Sequence, residues 1–93
     1  MPDSMPLGSA QNIGPKSAET LAHAGLTTLV QLQQMGAVAA YVKVKGTNAG
    51  TTLNLLWALE GAIAGLPWQV VANEHRTSLL LALEDYERRL KPR

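Results

Sequence analysis

The stretch Asn12-Ile13-Gly14-Pro15-Lys16-Ser17-Ala18, continued by Leu21 and closed by Ala24-Gly25-Leu26-Thr27-Thr28-Leu29, decides the fold. It reads as two short helices joined by a tight hairpin, with a second turn opening a third helix. Ile13 is an apolar plug just before Gly14, a residue free to take positive φ. Pro15 falls at a first helical position, where its missing N–H costs nothing and its fixed φ starts the turn. The open N–H groups of the new helix, beside Lys16, have the chemistry to hold a phosphate. The hairpin therefore either touches a nucleic-acid backbone or builds a small helical domain.

Working outward, helix punctuation divides the rest of the chain. A short helix is expected over Leu7 to Gln11, and a second from Pro15 to about Ala24, capped by Gly25. Thr27 or Thr28 caps a third, which carries Leu29 and Leu32 inward and ends near Met35-Gly36. Ala37 to about Lys45 reads as a fourth, with Val38, Tyr41 and Val42 at helical spacing. Gly46 to Gly50 reads as a loop, after which Thr51 or Thr52 caps a fifth helix reaching Gly65. A sixth is expected from near Asn73, with Leu79, Leu83, Tyr86 and Leu90 along one inward face. Its basic end suits the helix dipole. No strand pattern competes. The expected fold is all-α: one domain of five or six helices over residues 7–91, preceded by a disordered tail over residues 1–6.

Composition bounds the function. Ninety-three residues make one domain, too small for an elaborate buried active site. Cysteine is absent, which excludes disulfides, thiol chemistry and cysteine-ligated metal and is consistent with a cytoplasmic setting. Eight basic and seven acidic residues leave a formal charge of +1, which argues against strong non-specific nucleic-acid binding. Phenylalanine is absent, so leucine and alanine fill most of the interior. The N-terminus has neither the basic cluster nor the apolar run of a signal peptide. The apolar run from Leu53 to Ala72 is interrupted by Asn54, Glu60, Pro67 and Gln69. Gly65-Leu66-Pro67 breaks it short of the ~20 residues a membrane span needs. It reads as a buried helix.

Position by position, the opening stretch matches the helix-hairpin-helix pattern, a unit of SAM-like folds. Leu7, Ala10 and Ile13 stand at its apolar positions, Gly14 and Ala18 at its small ones, and Leu21 and Ala22 follow in register. Asn12 replaces the pattern's first glycine, a substitution asparagine tolerates because it visits left-handed φ. In DNA-binding members the backbone around the second glycine and a nearby lysine hold phosphates. That resemblance marks Ile13, Gly14 and Lys16 as the DNA-backbone candidates. Gln11, Ser17, Glu19 and Thr20 add no positive charge, and phosphate binding draws its strength from several cations together. A structural turn is the favoured reading, with weak nucleic-acid contact as the alternative.

At larger scale, the hairpin, the block Met35-Gly36-Ala37-Val38-Ala39-Ala40-Tyr41 and the run Leu53-Asn54-Leu55-Leu56-Trp57-Ala58-Leu59-Glu60-Gly61-Ala62 resemble the TfoX/Sxy C-terminal domain. Gly65-Leu66-Pro67-Trp68 continues the match, and the resemblance covers roughly residues 7 to 84. It implies a bacterial module linked to regulation of natural competence, a family whose best-known members act as coactivators with the cyclic-AMP receptor protein. Members usually carry a separate N-terminal domain, for which this chain has no room. The family supplies no catalytic residues to carry over. The implied function is a non-enzymatic regulatory module that binds a protein partner, either a transcription regulator or a separate N-terminal TfoX domain.

Other residues have plain readings. Glu60, the only charge inside an apolar helix, is expected in a structural salt bridge or a hydrogen bond to a loop. His23 and His75 lack partners at ligand spacing, so no metal is expected. The Gly46–Thr52 segment lacks the lysine of a phosphate loop, and no cofactor is expected. Gly61 and Gly65 suggest close helix packing within the domain. Leu56, Trp57 and Trp68 are expected in the core. On the last helix Leu80 and Leu81 point away from the inward face, and the end is rich in charge. Leu80, Leu81 and Arg88 are therefore candidates for a partner surface or a homodimer contact.

Overall fold

A computed structural model describes residues 5–91. A single 3₁₀ turn, Leu7–Ser9, precedes six α-helices: α1 (Pro15–His23), α2 (Leu29–Met35), α3 (Ala37–Thr47), α4 (Leu53–Ala64), α5 (Trp68–Glu74) and α6 (Arg76–Leu90). An isolated bridge between Pro6 and Thr28 is the only β pairing among the described residues. The all-α expectation holds. No single helix among the described residues is long and apolar enough to cross a membrane.

The hairpin's first arm is shorter than expected. Gly8 and Ser9 are poor helix formers, and the chain turns extended at Ala10 after one 3₁₀ turn. What holds this arm is long-range pairing. Leu7 donates to the Thr27 carbonyl at 3.0 Å, and Leu29 donates to the Met5 carbonyl at 2.9 Å. Met5 and Pro6, expected in a loose tail, are thus fastened beside the start of α2; residues 1–4 of that tail lie outside the described residues.

Of the two candidates Thr27 and Thr28, Thr28 caps α2. Its hydroxyl accepts from the Gln31 N–H at 3.3 Å, and the Gln31 side-chain oxygen accepts from the Thr28 N–H at 3.1 Å. Such reciprocal capping is worth ~0.5–2 kcal/mol. Helices α2 and α3 share one junction residue, Gly36, at φ 87° and ψ 154°. That region is open essentially to glycine alone, so the corner depends on this residue.

Helix α4 is the centre of the domain. Leu56, Trp57, Ala58 and Leu59 are all buried, with Gly61 and Ala62 behind them. Burial on successive residues means the helix is covered on most of its girth. Helix α3 packs against it through Ala40, Tyr41 and Val44, and α6 closes over α3 with Leu79 and Leu83. Val38 and Val42, at helical spacing with Tyr41, are half-buried against the core, and α3 runs through Gly46 to Thr47 where a loop was expected. The Thr47 hydroxyl steadies that last turn by donating to the Val44 carbonyl at 3.0 Å.

Helix α5 stands where no separate helix was expected. Gly65 takes a left-handed conformation at the end of α4, Pro67 then leads into Trp68, and α5 leaves α4 at 107°. His75 both ends α5 and precedes α6, so α6 begins at Arg76 rather than near Asn73. Trp68, on the first turn of α5, is 40% exposed and is not a core residue, whereas Trp57 is 3% exposed. The Arg76 guanidinium lies 5.8 Å from the centre of the Trp57 ring and caps its face.

Candidate functional site

The hairpin is organised around Asn12, not Gly14. Asn12 has φ 71° and is the only non-glycine residue with positive φ among the described residues. Gly14 sits at φ −91° and ψ 179°, ordinary extended backbone, and a Cβ there would meet nothing within 4 Å. The left-handed conformation expected at Gly14 therefore belongs to its neighbour two residues earlier, where the motif's first glycine would stand.

The reason lies in the asparagine amide. Its Nδ2 donates to the Leu66 carbonyl at 2.8 Å, and its Oδ1 accepts from the Trp68 N–H at 3.1 Å. Trp68 is the first residue of α5, so Asn12 supplies from 56 residues away the capping acceptor that Pro67 lacks. Gly61 on α4 makes room for this. A Cβ at Gly61 would collide with the Asn12 amide and the Leu66 carbonyl. The close packing expected at Gly61 is thus present, within the domain, whereas a Cβ at Gly65 would meet nothing within 4 Å. The hairpin, α4 and α5 meet at one polar joint.

Of the DNA-backbone candidates, Ile13 is buried as a core plug, and Gly14 and Lys16 are exposed. Lys16 has no ion-pair partner among the described residues. Beside it, Ser17, Thr52, Asn54, Leu55 and Trp68 line a cleft of ≈ 370 Å³ without a charged wall.

A different surface gathers apolar groups. Met35 at the end of α2, Ala39 and Val42 on α3, and Tyr86 and Leu90 on α6 line a groove of ≈ 310 Å³, with Lys43 on its rim. Through Met35 and Lys43 it continues into a hollow of ≈ 380 Å³ bounded by Leu26, Gln31 and Gln34. Leu90, expected inward, is 55% exposed, and Met35 is 38% exposed. Position explains this: the stripe Leu79, Leu83, Tyr86, Leu90 runs past the end of the core, so its first half is buried and its second half overhangs α3.

The partner-surface candidates on α6 separate. Leu80 is half-buried and packs against the core, so it does not point away from it as expected. Leu81 is 60% exposed. Arg88 is an exposed residue facing Glu84 at 3.8 Å and Asp85 at 4.0 Å, while Arg89 reaches Asp85 at 3.1 Å. Ion pairs so open to water contribute little. None of the three lines the Met35–Leu90 groove.

Glu60 is half-buried and has neither the salt bridge nor the hydrogen bond expected of it among the described residues. His23 is exposed and His75 half-buried, and no group of three His, Asp or Glu is placed to hold a metal among the described residues. After α3, the Asn48 side chain accepts from the Gly50 N–H at 3.1 Å, and its carbonyl accepts from the Thr51 hydroxyl at 2.7 Å. That is a self-contained turn.

The groove escaped the sequence reading because its parts come from three helices, and no spacing within one helix reveals it. Asn12 carried a signal, as a non-glycine residue at a glycine position, but its partners lie at sequence separations of 54 and 56.

Two crystal structures from Listeria monocytogenes are similar to this chain. One, of an uncharacterized protein in a triclinic form, superposes with a TM-score of 0.77 at 27% identity, covering 88% of this chain and 93% of that one. The other, of a protein of unknown function in a tetragonal form, gives 0.70 at 26% identity, covering 91% and 100%. No curated protein matches. The model of the TfoX C-terminal domain family matches residues 4–83. With the hairpin, the α4 block and the turn into Trp68 all inside that span, the chain belongs to the TfoX C-terminal domain family.

Proposed function

We infer that this domain is a non-enzymatic docking module of bacterial transcription regulation, acting in the cytoplasm through contact with another protein. Its partner is a transcription regulator or a separate N-terminal TfoX domain, and competence is the process the family resemblance suggests. One observation carries the reading: the groove between Met35, Val42 and Leu90, where large apolar side chains stay exposed beside a lysine. Exposed apolar surface rimmed by polar groups is what protein interfaces use.

Direct DNA contact is the second reading, favoured by the exposed pair Gly14 and Lys16 at the start of α1. It ranks lower because Asn12, the residue at the motif's first glycine, has its amide engaged by Leu66 and Trp68. Capture experiments separate the two. Extract of the source organism, with and without nuclease treatment, is passed over the immobilised chain, its Met35→Asp variant and its Lys16→Glu variant, and bound proteins are quantified. The docking reading expects a partner lost with Met35→Asp and kept with Lys16→Glu. Binding that disappears with nuclease or with Lys16→Glu supports the DNA reading instead.

A further inference from the structure

Resting on the docking reading, we propose that the groove's occupant is an acidic amphipathic helix of another protein, with apolar anchors on the groove floor and carboxylates at Lys43. The floor is apolar: Met35, Ala39 and Val42 on one side, Leu90 and the Tyr86 ring on the other. Three helices frame it as a trough, the shape that receives a helix through anchors at i, i+3 or i+4, and i+7. Met35 adds a flexible side chain that moulds to different anchors.

The charge of the trough selects the occupant. From Thr20 to Leu59 the chain contains no aspartate or glutamate, so α2 and α3 present no acid, whereas α6 carries Glu84, Asp85 and Glu87 beside Leu90. None of these three lines the groove itself, where Lys43 is the one charged residue among the described residues. The two cations of α2 and α3 are Lys43 and Lys45. Lys45 lies over the Tyr41 ring, 5.9 Å from its centre, whereas Lys43 has no ion-pair partner among the described residues. It lines both hollows and stands where they join. An acidic rim on the occupant meets this lysine, and a basic one is repelled by it.

A second copy of the chain fits poorly. Its apolar stripe with acidic neighbours is on α6, where Leu79 and Leu83 are already buried in its own core. Leu81 stands alone on another face, between the charged turns.

The test uses the full chain as bait for phage-displayed amphipathic helices of about 16 residues, roughly 24 Å long. Their apolar positions are fixed and their rim residues drawn from Glu, Lys, Gln and Ser. Selected helices are then measured by fluorescence anisotropy against the wild type, Lys43→Glu, Met35→Asp and Leu90→Asp. Thermal melts confirm that each variant is folded. The proposal expects enrichment of glutamate on the rim. It expects about a tenfold loss of affinity with Lys43→Glu, a loss that shrinks as salt rises, and abolition by Met35→Asp. Enriched helices without acidic excess, or indifferent to Lys43→Glu, overturn the acidic occupant and leave the docking reading standing. No enriched helix from a monomeric chain overturns both. No enriched helix from a chain that dimerises through Leu90, shown by light scattering of Leu90→Asp, replaces the occupant by a second copy.

Discussion

Two corners of this small domain use polar and apolar groups in opposite ways. At the Asn12 joint the side-chain amide is engaged at both ends: it bridges the Leu66 carbonyl and the Trp68 N–H, and Gly61 leaves room for it. At the Met35–Leu90 groove the reverse holds, since large apolar side chains face outward beside Lys43, which has no ion-pair partner among the described residues. The first corner carries the residues that make the hairpin recognisable, and the second carries none of them. A motif can therefore announce the fold without marking the surface proposed to bind.

The largest expected effect concerns what both corners rest on. Leu56 is fully buried at the centre of α4, so Leu56→Ala is expected to cost ~2–5 kcal/mol through lost burial and a cavity. Calorimetry measures this directly, and for a domain of this size it is a large part of the total stability. An unshifted melting temperature would remove α4 from the centre of the account.

The joint itself comes next. Gly61→Ala places a methyl group against Asn12 and the Leu66 carbonyl, with an expected cost of ~1–3 kcal/mol. Asn12→Ala loses both bridging bonds and leaves the Trp68 N–H without its side-chain acceptor, a further ~1–3 kcal/mol. Because the two side chains share one space, their costs in the double variant are expected not to add. Additive costs in denaturant unfolding would mean the joint is not a single unit.

On α6 the comparison sharpens within adjacent residues. Leu80→Glu is expected to destabilise, because Leu80 packs on the core, whereas Leu81→Glu stays within ~0.5 kcal/mol of wild type. Equal effects would contradict the placement of α6. Smallest of all is Lys16→Ala. It leaves stability unchanged, and any DNA affinity it reduces lies no tighter than roughly 10⁻⁴–10⁻⁶ M at physiological salt.

Much of the fold was legible because its punctuation is local. The threonine cap at Thr27 or Thr28, Gly36, and Gly65 before Pro67 each act within a turn, and the helices α2, α3 and α4 that they bound appear where expected. Helix α5 was hidden because Leu66 to Ala72 continues the apolar run of α4, and the bend between them is sealed by Asn12 from far along the chain. Leu90 was misplaced for a related reason. Periodicity gives the face of a helix but not where the neighbouring core ends, so a stripe of four apolar residues was read as four buried ones. The groove depends on that overhang together with Met35 and Val42, and three-helix surfaces have no signature in the order of residues.

The central claim is that the hairpin builds the domain and the groove binds its partner. Amide chemical shifts of the labelled chain, followed while the captured partner or a DNA duplex is added, test it most directly. The account predicts that the partner perturbs the amides of Met35 to Lys43 and of Tyr86 to Leu90. It predicts that those of Asn12 to Ser17 stay still and that DNA causes only weak, salt-sensitive shifts. Strong perturbation centred on Gly14 and Lys16, with the groove silent, would contradict it.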